Sequence, residues 1–274
     1  MDLIDINRQT CSRDGICAEV CPLRLIDVQE EGYPKQLAEA EETCIRCGHC
    51  VAVCPTGSLL HRDIPVAQCP PVQMNLLLSL EQCEHFLRNR RSIRVYQEKP
   101  VPRIALAKLI EVARYAPSGQ NLQCADWLVL DNREELRKLA GIVSDWMRWM
   151  LANMAEVALS LRMDRAIAGW EAGHDVFLRE APALIIAHAK KDDRLAPSTC
   201  TIALTYLELA ATSMALGCCW AGYFNAAATT FPPMMEALAL PKGHQCFGAM
   251  MVGYSKFRYH RLPLRNPPVI TWRS

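Results

Sequence analysis

The sequence predicts an α+β protein in two parts: a small cysteine-rich module and a larger mixed helix–strand domain. Three observations predict it. Cysteine-rich runs recur at a fixed offset near the N-terminus, a proline-rich break follows, and the rest of the chain mixes helical and strand patterns without βαβ alternation. The chain has 274 residues, 51% of them hydrophobic and 22% charged. That supports packed cores and argues against disorder. A net charge of +1 gives no reason to expect nucleic acid or a membrane as a partner.

The most specific stretch is Cys44-Ile45-Arg46-Cys47-Gly48-His49-Cys50-Val51-Ala52-Val53-Cys54-Pro55. It is the iron–sulfur run C-x2-C-x2-C-x3-C-P, whose fourth cysteine serves a second cluster. A zinc site favours two well-separated C-x2-C pairs, and a disulfide framework suits a short secreted chain. Subtracting 33 from Cys44, Cys50 and Cys54 gives Cys11, Cys17 and Cys21, and the same step takes Arg46, Gly48, Val53 and Pro55 to Arg13, Gly15, Val20 and Pro22. A fixed offset marks a duplicated unit. Its functional mismatch is Cys47, which meets Asp14. One cluster is therefore expected on Cys44, Cys47, Cys50 and the crossed-over Cys21. The other is expected on Cys11, Cys17 and Cys54, with Asp14 either at the fourth iron or serving as a turn residue before Gly15. With a carboxylate there, a three-iron form is an alternative to [4Fe-4S]. These motifs resemble the two-cluster bacterial ferredoxins over roughly the first 60 residues. The resemblance implies a pseudo-twofold fold of short hairpins and helices carrying one-electron chemistry.

Strands are expected at Leu3–Asn7 and Leu25–Gln29, a connector or short helix at Pro34–Glu42, and a strand at Gly57–Arg62 mirroring the one after the first motif. Ile64–Pro71 holds three prolines and cannot form a helix. The domains are accordingly placed at 1–64 and 76–274, with a linker at 65–75. Beyond it, helices are expected at Leu76–Asn89, at Pro102–Tyr115, from Arg133 to Ala140, and at Asp145–Arg165. The last is rich in Trp and Met and reads as core or dimer packing. Strands are expected at Trp127–Asp131, Ala183–Ala189 and Phe247–Gly253, a long helix at Thr199–Leu216, and an extended tail at Pro263–Ser274. The apolar stretch Cys200–Phe224 carries Glu208 at its middle, so it reads as a buried helix and not as a membrane span. Met1-Asp2-Leu3-Ile4-Asp5 lacks the basic-then-apolar start of a signal peptide, so a reducing cytoplasm is the expected compartment.

Cluster electrons need a user. No G-x-G-x-x-G follows a strand pattern, which argues against a Rossmann dinucleotide site. Four segments instead suggest another cofactor. Arg90-Arg91-Ser92-Ile93-Arg94 offers guanidinium forks and a hydroxyl suited to phosphate. Ala116–Gln123 is an amide-rich turn. Gly217–Phe224 ends the long helix, with Gly222 permitting close backbone approach. Gly253–Pro263 supplies further cations. In this order the segments resemble the FMN-dependent nitroreductase family across roughly residues 75–265. The resemblance implies a nitroreductase-like α+β sandwich and a homodimer with FMN at its interface. It assigns Arg90, Arg91 and Ser92 to the flavin phosphate, ribityl chain and pyrimidine edge. It assigns Ser118 and Asn121 to an amide contact usually donated by the partner subunit, Ala221 and Gly222 to the backbone beside flavin N5, and Arg261 to the phosphate. Tyr259 replaces a lysine of some members, with Lys256 or Arg258 as substitutes, and Cys124-Ala125-Asp126-Trp127 departs from the usual Pro-Trp. Cys124 is a candidate flavin-proximal thiol.

Such chemistry belongs mainly to the cofactor, so no catalytic acid or base is assigned. His174, His188 and His244 have no ligand cluster near them in sequence and read as structural; Cys218 and Cys219 read as packing residues. The expected function is an iron–sulfur flavoprotein oxidoreductase, fed by an external ferredoxin or NAD(P)H, that reduces a nitro compound, quinone or similar acceptor. The alternatives are an electron-transfer hub serving a protein partner and, further off, a dehydrogenating or dehalogenating relative.

Overall fold

The computed structural model describes residues 2–273 and divides into two compact units. The first comprises the chain up to Leu77 with Gly119–Leu122; the second comprises Leu78–Ser118 and the chain from Gln123 onward.

In the first unit the elements are short: β1 (Ile4–Ile6), α1 (Ile16–Glu19), β2 (Ile26–Val28), β3 (Pro34–Gln36), α2 (Ala40–Thr43), α3 (His49–Val53) and β4 (Leu59–His61). β1 pairs antiparallel with β4, and β2 with β3. The expected connector at Pro34–Glu42 is thus a strand and then a helical turn. The 33-residue offset is written into the backbone. It carries α1 onto α3 and β2 onto β4, and it pairs three left-handed positions: Arg13 with Arg46, Gly15 with Gly48, and Arg24 with Gly57. Gly15 and Gly48 both sit at φ 73° as the residue before a helix, a conformation that L side chains avoid. Leu3, Ile4, Ile26, Val51 and Leu59 form the small core together with Cys17 and Cys50. Within the Pro-rich break, Val66–Gln68 makes only a 3-10 turn.

The second unit begins with α4 (Leu80–Asn89), shorter than expected because a Ser79/Gln82 capping box starts it. α5 (Arg103–Ala113) follows Pro102. Then come β5 (Asp126–Leu130), α6 (Arg133–Asn153), α7 (Ala155–Ser160), α8 (Met163–Glu171), β6 (Ala183–Lys190), α9 (Ala196–Ser213), β7 (Gly217–Trp220), α10 (Gly222–Thr230), α11 (Pro232–Leu238) and β8 (His244–Gly253). The two helices expected between Arg133 and Arg165 are distributed differently. α6 runs unbroken to Asn153, Met154 leaves helical geometry, and Arg162 turns left-handed ahead of α8. Of the Trp and Met residues read as packing, Trp146, Met147, Met150 and Met163 lie in the core, while Trp149 and Met154 are exposed. The segment after α9 is strand β7 and then helix α10, not a simple helix end.

The sheet order is β5-β6-β8-β7, with every pairing antiparallel. Its two faces pack separate cores. Leu184, Ile186 and Met251 face α6 and α10, while Ile185, Ala187 and Met250 face α5 and α9. This alternation is the period-2 signature of a sheet covered on both sides. No described helix is long and apolar enough to cross a membrane.

Beside β7, Ile93 N donates to Cys218 O at 2.8 Å, and Ser92 bridges Cys218 in parallel. A Cβ on Gly217 would lie 2.3 Å from Ile93 Cγ1 and 2.8 Å from its Cβ. Because Ile93 Cβ cannot rotate away, Gly217→Ala is expected to cost about 1–3 kcal/mol through overpacking. Thermal unfolding would read this as a lowered Tm.

Candidate functional site

In the first unit, Cys21, Cys44, Cys47 and Cys50 line one small cavity with the apolar side chains of Ile4, Leu23, Leu25 and Ile45. α3 carries Cys50, the left-handed Arg46–Gly48 turn presents Cys44 and Cys47, and the β2 approach brings in Cys21 from the other repeat. The convergence includes the crossed-over cysteine. Four thiols gathered in one apolar-lined cavity are a ligand set suited to a multi-iron group. Burial pushes the Cys50 thiol up to about 11, and Cys21, Cys44 and Cys47 beside it add to the rise. Ligation by iron requires the thiolate, so assembly releases protons here.

Backbone N–H groups point at these sulfurs: Leu25 N to Cys21 Sγ at 3.3 Å and Arg46 N to Cys44 Sγ at 3.4 Å. His61 adds a side-chain donor. Its Nδ1 accepts from Asp63 N at 3.1 Å, which leaves the ring proton on Nε2, 3.8 Å from Cys44 Sγ. Burial lowers its pKa and keeps the ring neutral. Hydrogen bonds to ligand sulfur favour the reduced cluster. His61→Phe is thus expected to lower the reduction potential of the Cys44 cluster, as a redox titration would measure.

The other set is built around Cys17 and Cys54, which share a core with one another and lie near Asp14. Burial raises the Cys17 thiol. For Cys54, burial is outweighed by the Leu59 backbone N–H, the Thr56 hydroxyl and further N–H donors, so its thiol is lowered. Cys11 is half-buried nearby in sequence. Asp14 Oδ2 accepts from Ser12 Oγ at 2.7 Å and Oδ1 from Ile16 N at 3.2 Å. In this structure its carboxylate holds the turn into α1.

In the second unit, Arg90, Arg91 and Arg261 line one cavity of about 600 Å³, joined by Arg258, Tyr259 and Glu208. α4 ends at Asn89 and delivers Arg90 and Arg91 to its mouth, and the segment after β8 delivers the others. Arg90 Nη1 bonds Glu208 Oε1 at 2.7 Å, and the Glu208 side chain is only 6% exposed. Glu208 is the acid of the apolar helix; its role as the partner of Arg90, 118 residues away, was not read from sequence. Arg91 lies over the Tyr259 ring, 5.7 Å from its centroid. Among the described residues, Arg91, Arg258 and Arg261 have no carboxylate within 4.0 Å, so their charge is available to an anion. Lys256 does not line this cavity.

Ser92 sits against β7 through its bridge to Cys218. Ala221 is buried at the start of α10, and a Cβ on Gly222 would meet nothing within 4 Å. That opening is a backbone edge onto which a planar ring can pack. Ser118 and Asn121 do not line the cationic cavity. Ser118 Oγ accepts from Gln123 N at 3.0 Å. Asn121, within the first unit, donates from Nδ2 to the Ile45 and Arg46 carbonyls at 3.1 and 3.0 Å. Gln120, Asn121 and Gln123 all have positive φ, a concentration of backbone strain in this turn. Cys124 is half-buried, its thiol raised by burial and by its hydrogen bond to Asp193.

The arrangement defines a sulfur-ligated metal module and an anion-binding α+β sandwich in one chain, the parts of an electron-transfer oxidoreductase. Residues 87–254 match the nitroreductase family, and residues 3–63 match the 4Fe-4S dicluster domain. The chain belongs to the nitroreductase family and carries a 4Fe-4S dicluster domain at its N-terminus. A Desulfitobacterium hafniense nitroreductase solved with bound FMN is similar at 22% identity and TM-score 0.57, covering 72% of this chain and 100% of its own. A Bacteroides fragilis nitroreductase with bound FMN is similar at 21% identity and TM-score 0.56, with 69% and 98% covered. An Archaeoglobus fulgidus protein provisionally described as an NADH dehydrogenase/NAD(P)H nitroreductase is 24% identical over 177 residues, 65% of this chain and 87% of its own length.

Proposed function

We propose that the chain is an iron–sulfur flavoprotein that uses FMN to reduce a small organic acceptor such as a nitro compound or quinone. The observation that carries this reading is the cavity where Arg91, Arg258 and Arg261 converge beside the Arg90–Glu208 pair with charge to spare. Bound FMN would supply both one-electron and two-electron chemistry at one ring, which links single-electron cluster chemistry to a two-electron acceptor. Arg90, Arg91 and Arg261 hold its phosphate, Ser92 adds a hydroxyl, and Ala221 and Gly222 present backbone to its ring. Glu208 fixes the Arg90 fork and so orients it. Asn121, with Ser118 nearby, stands for the amide contact to the flavin that a partner subunit donates. The clusters are held by Cys21, Cys44, Cys47 and Cys50, and by Cys11, Cys17 and Cys54, with Asp14 at the position of the eighth cysteine.

The proposed assembly is a cytoplasmic homodimer. Apolar side chains lie open at both ends of the second unit's sequence: Leu80 is 85% exposed, and in the tail Leu264 is 91% and Val269 99% exposed. These side chains are available to a partner subunit's surface.

Anaerobic purification with iron, sulfide and flavin counts tests the cofactors; a preparation that never retains FMN overturns the flavin assignment. Stopped-flow reduction by NADH, NADPH and reduced ferredoxin identifies the donor. Reoxidation of the reduced protein by nitroaromatics or quinones alone supports the small-acceptor reading. If only a protein acceptor drains it, the chain is a relay.

A further inference from the structure

The geometry points to a further metal site, unrelated to the two clusters and the flavin cavity: a divalent transition-metal site, best matched to Zn²⁺, formed by Asp126, His188 and His244 on three adjacent strands. Their ligand atoms all lie within 4.8 Å of one another. His188 Nδ1 and His244 Nδ1 face each other at 3.0 Å, and Asp126 Oδ2 lies 3.7 Å from His244 Nδ1. Two imidazoles on one zinc at about 2.0–2.1 Å hold their nitrogens about 3.3 Å apart at the tetrahedral angle. A shift of a few tenths of an ångström therefore converts the observed pair into a ligand pair. Imidazole and carboxylate are both ligands zinc accepts, and a His₂Asp set leaves a fourth position for water.

The sheet builds this site. Asp126 opens β5 and is the register partner of His188 on β6, while His244 opens β8 opposite Lys190. The β6–β8 ladder slips between Ala187 and His188. A bulge re-aims side chains, and here it falls at the residue that must turn its ring toward His244. Strand-borne ligands are held more precisely than ligands on loops. His188 is 5% exposed, yet its ring meets another imidazole where an apolar core would place a hydrocarbon. Asp126 is largely exposed and gives an ion a route in.

The mutually close ligand atoms are two imidazoles and a carboxylate, with no thiol among them. A nitrogen and oxygen shell therefore distinguishes this site from zinc misloaded into the cluster cysteines.

The test is Zn²⁺ binding to the anaerobically purified full chain with its iron retained. Equilibrium dialysis against Zn²⁺ with elemental analysis is expected to show one zinc per chain, and zinc-edge absorption an N/O shell at about 2.0–2.1 Å with no sulfur. His244→Ala is expected to weaken binding by more than the roughly 10–100-fold that loss of an outer-shell partner costs, with iron and sulfide unchanged. Asp126→Asn, at an exposed position, gives the same direction without threatening the fold. Absence of zinc, a sulfur shell at about 2.3 Å, or unchanged affinity in both variants overturns the site.

Discussion

Arg90→Ala is expected to lower folding stability by about 3 kcal/mol and to remove tight flavin retention. Breaking a buried pair by deleting one partner costs about 3–5 kcal/mol, because the surviving charge is stranded. Here the survivor is Glu208, with a 6% exposed side chain, while Arg90 itself keeps a quarter of its surface, which places the loss at the lower end. Against a typical total of about 5–15 kcal/mol this is a large fraction. Arg90→Lys keeps the charge but loses the planar fork of donors that a guanidinium offers. The decisive comparison is the double variant Arg90→Ala/Glu208→Gln. Removing the uncompensated charge is expected to recover much of the stability in denaturant unfolding, while flavin release persists. Flavin retention recovered along with stability would mean that Arg90 supports the cavity without holding the phosphate.

The Arg90–Glu208 pair also shows where sequence reading reached and where it stopped. Arg90-Arg91-Ser92 was legible because clustered guanidiniums announce an anion. Glu208 was legible only as an anomaly, an acid inside an apolar helix, since nothing local names a partner 118 residues away. The internal repeat of the cluster module was readable in the sequence. Its 33-residue period fixes cysteines, glycines and helix starts together, and the backbone repeats the same left-handed turns. β7 was missed because Gly217-Cys218-Cys219-Trp220 is too short and too small-chained to alternate. Its identity as a strand comes from pairing with β8. His188 and His244 were read as isolated because 56 residues separate them; strand register, not spacing, puts their rings together.

Cys21→Ala is expected to behave like Cys47→Ala, although the two belong to different cysteine runs. Both residues line the cavity shared with Cys44 and Cys50. Loss of either should reduce iron from about eight to about four per chain and abolish one cluster signal while sparing the other. Cys54→Ala, although it lies in the run with Cys47, should instead resemble Cys17→Ala, since Cys54 and Cys17 lie together in the other half of the module. Iron and sulfide analysis with EPR of the dithionite-reduced protein reads both pairs. If the variants group by run and not by cavity, the crossover assignment fails. The two clusters should also differ in durability. One has four thiolates within an apolar lining, with Leu25 N–H, Arg46 N–H and His61 pointing at its sulfurs. The other has Asp14 where its repeat has a cysteine, and both Asp14 oxygens already accept bonds from Ser12 and Ile16. Brief air exposure should therefore strip iron from the Cys17 half first. Asp14→Cys should remove that difference, supplying a fourth thiolate at the position Cys47 occupies in the repeat, and an unchanged EPR signal and iron count would assign Asp14 to the turn alone.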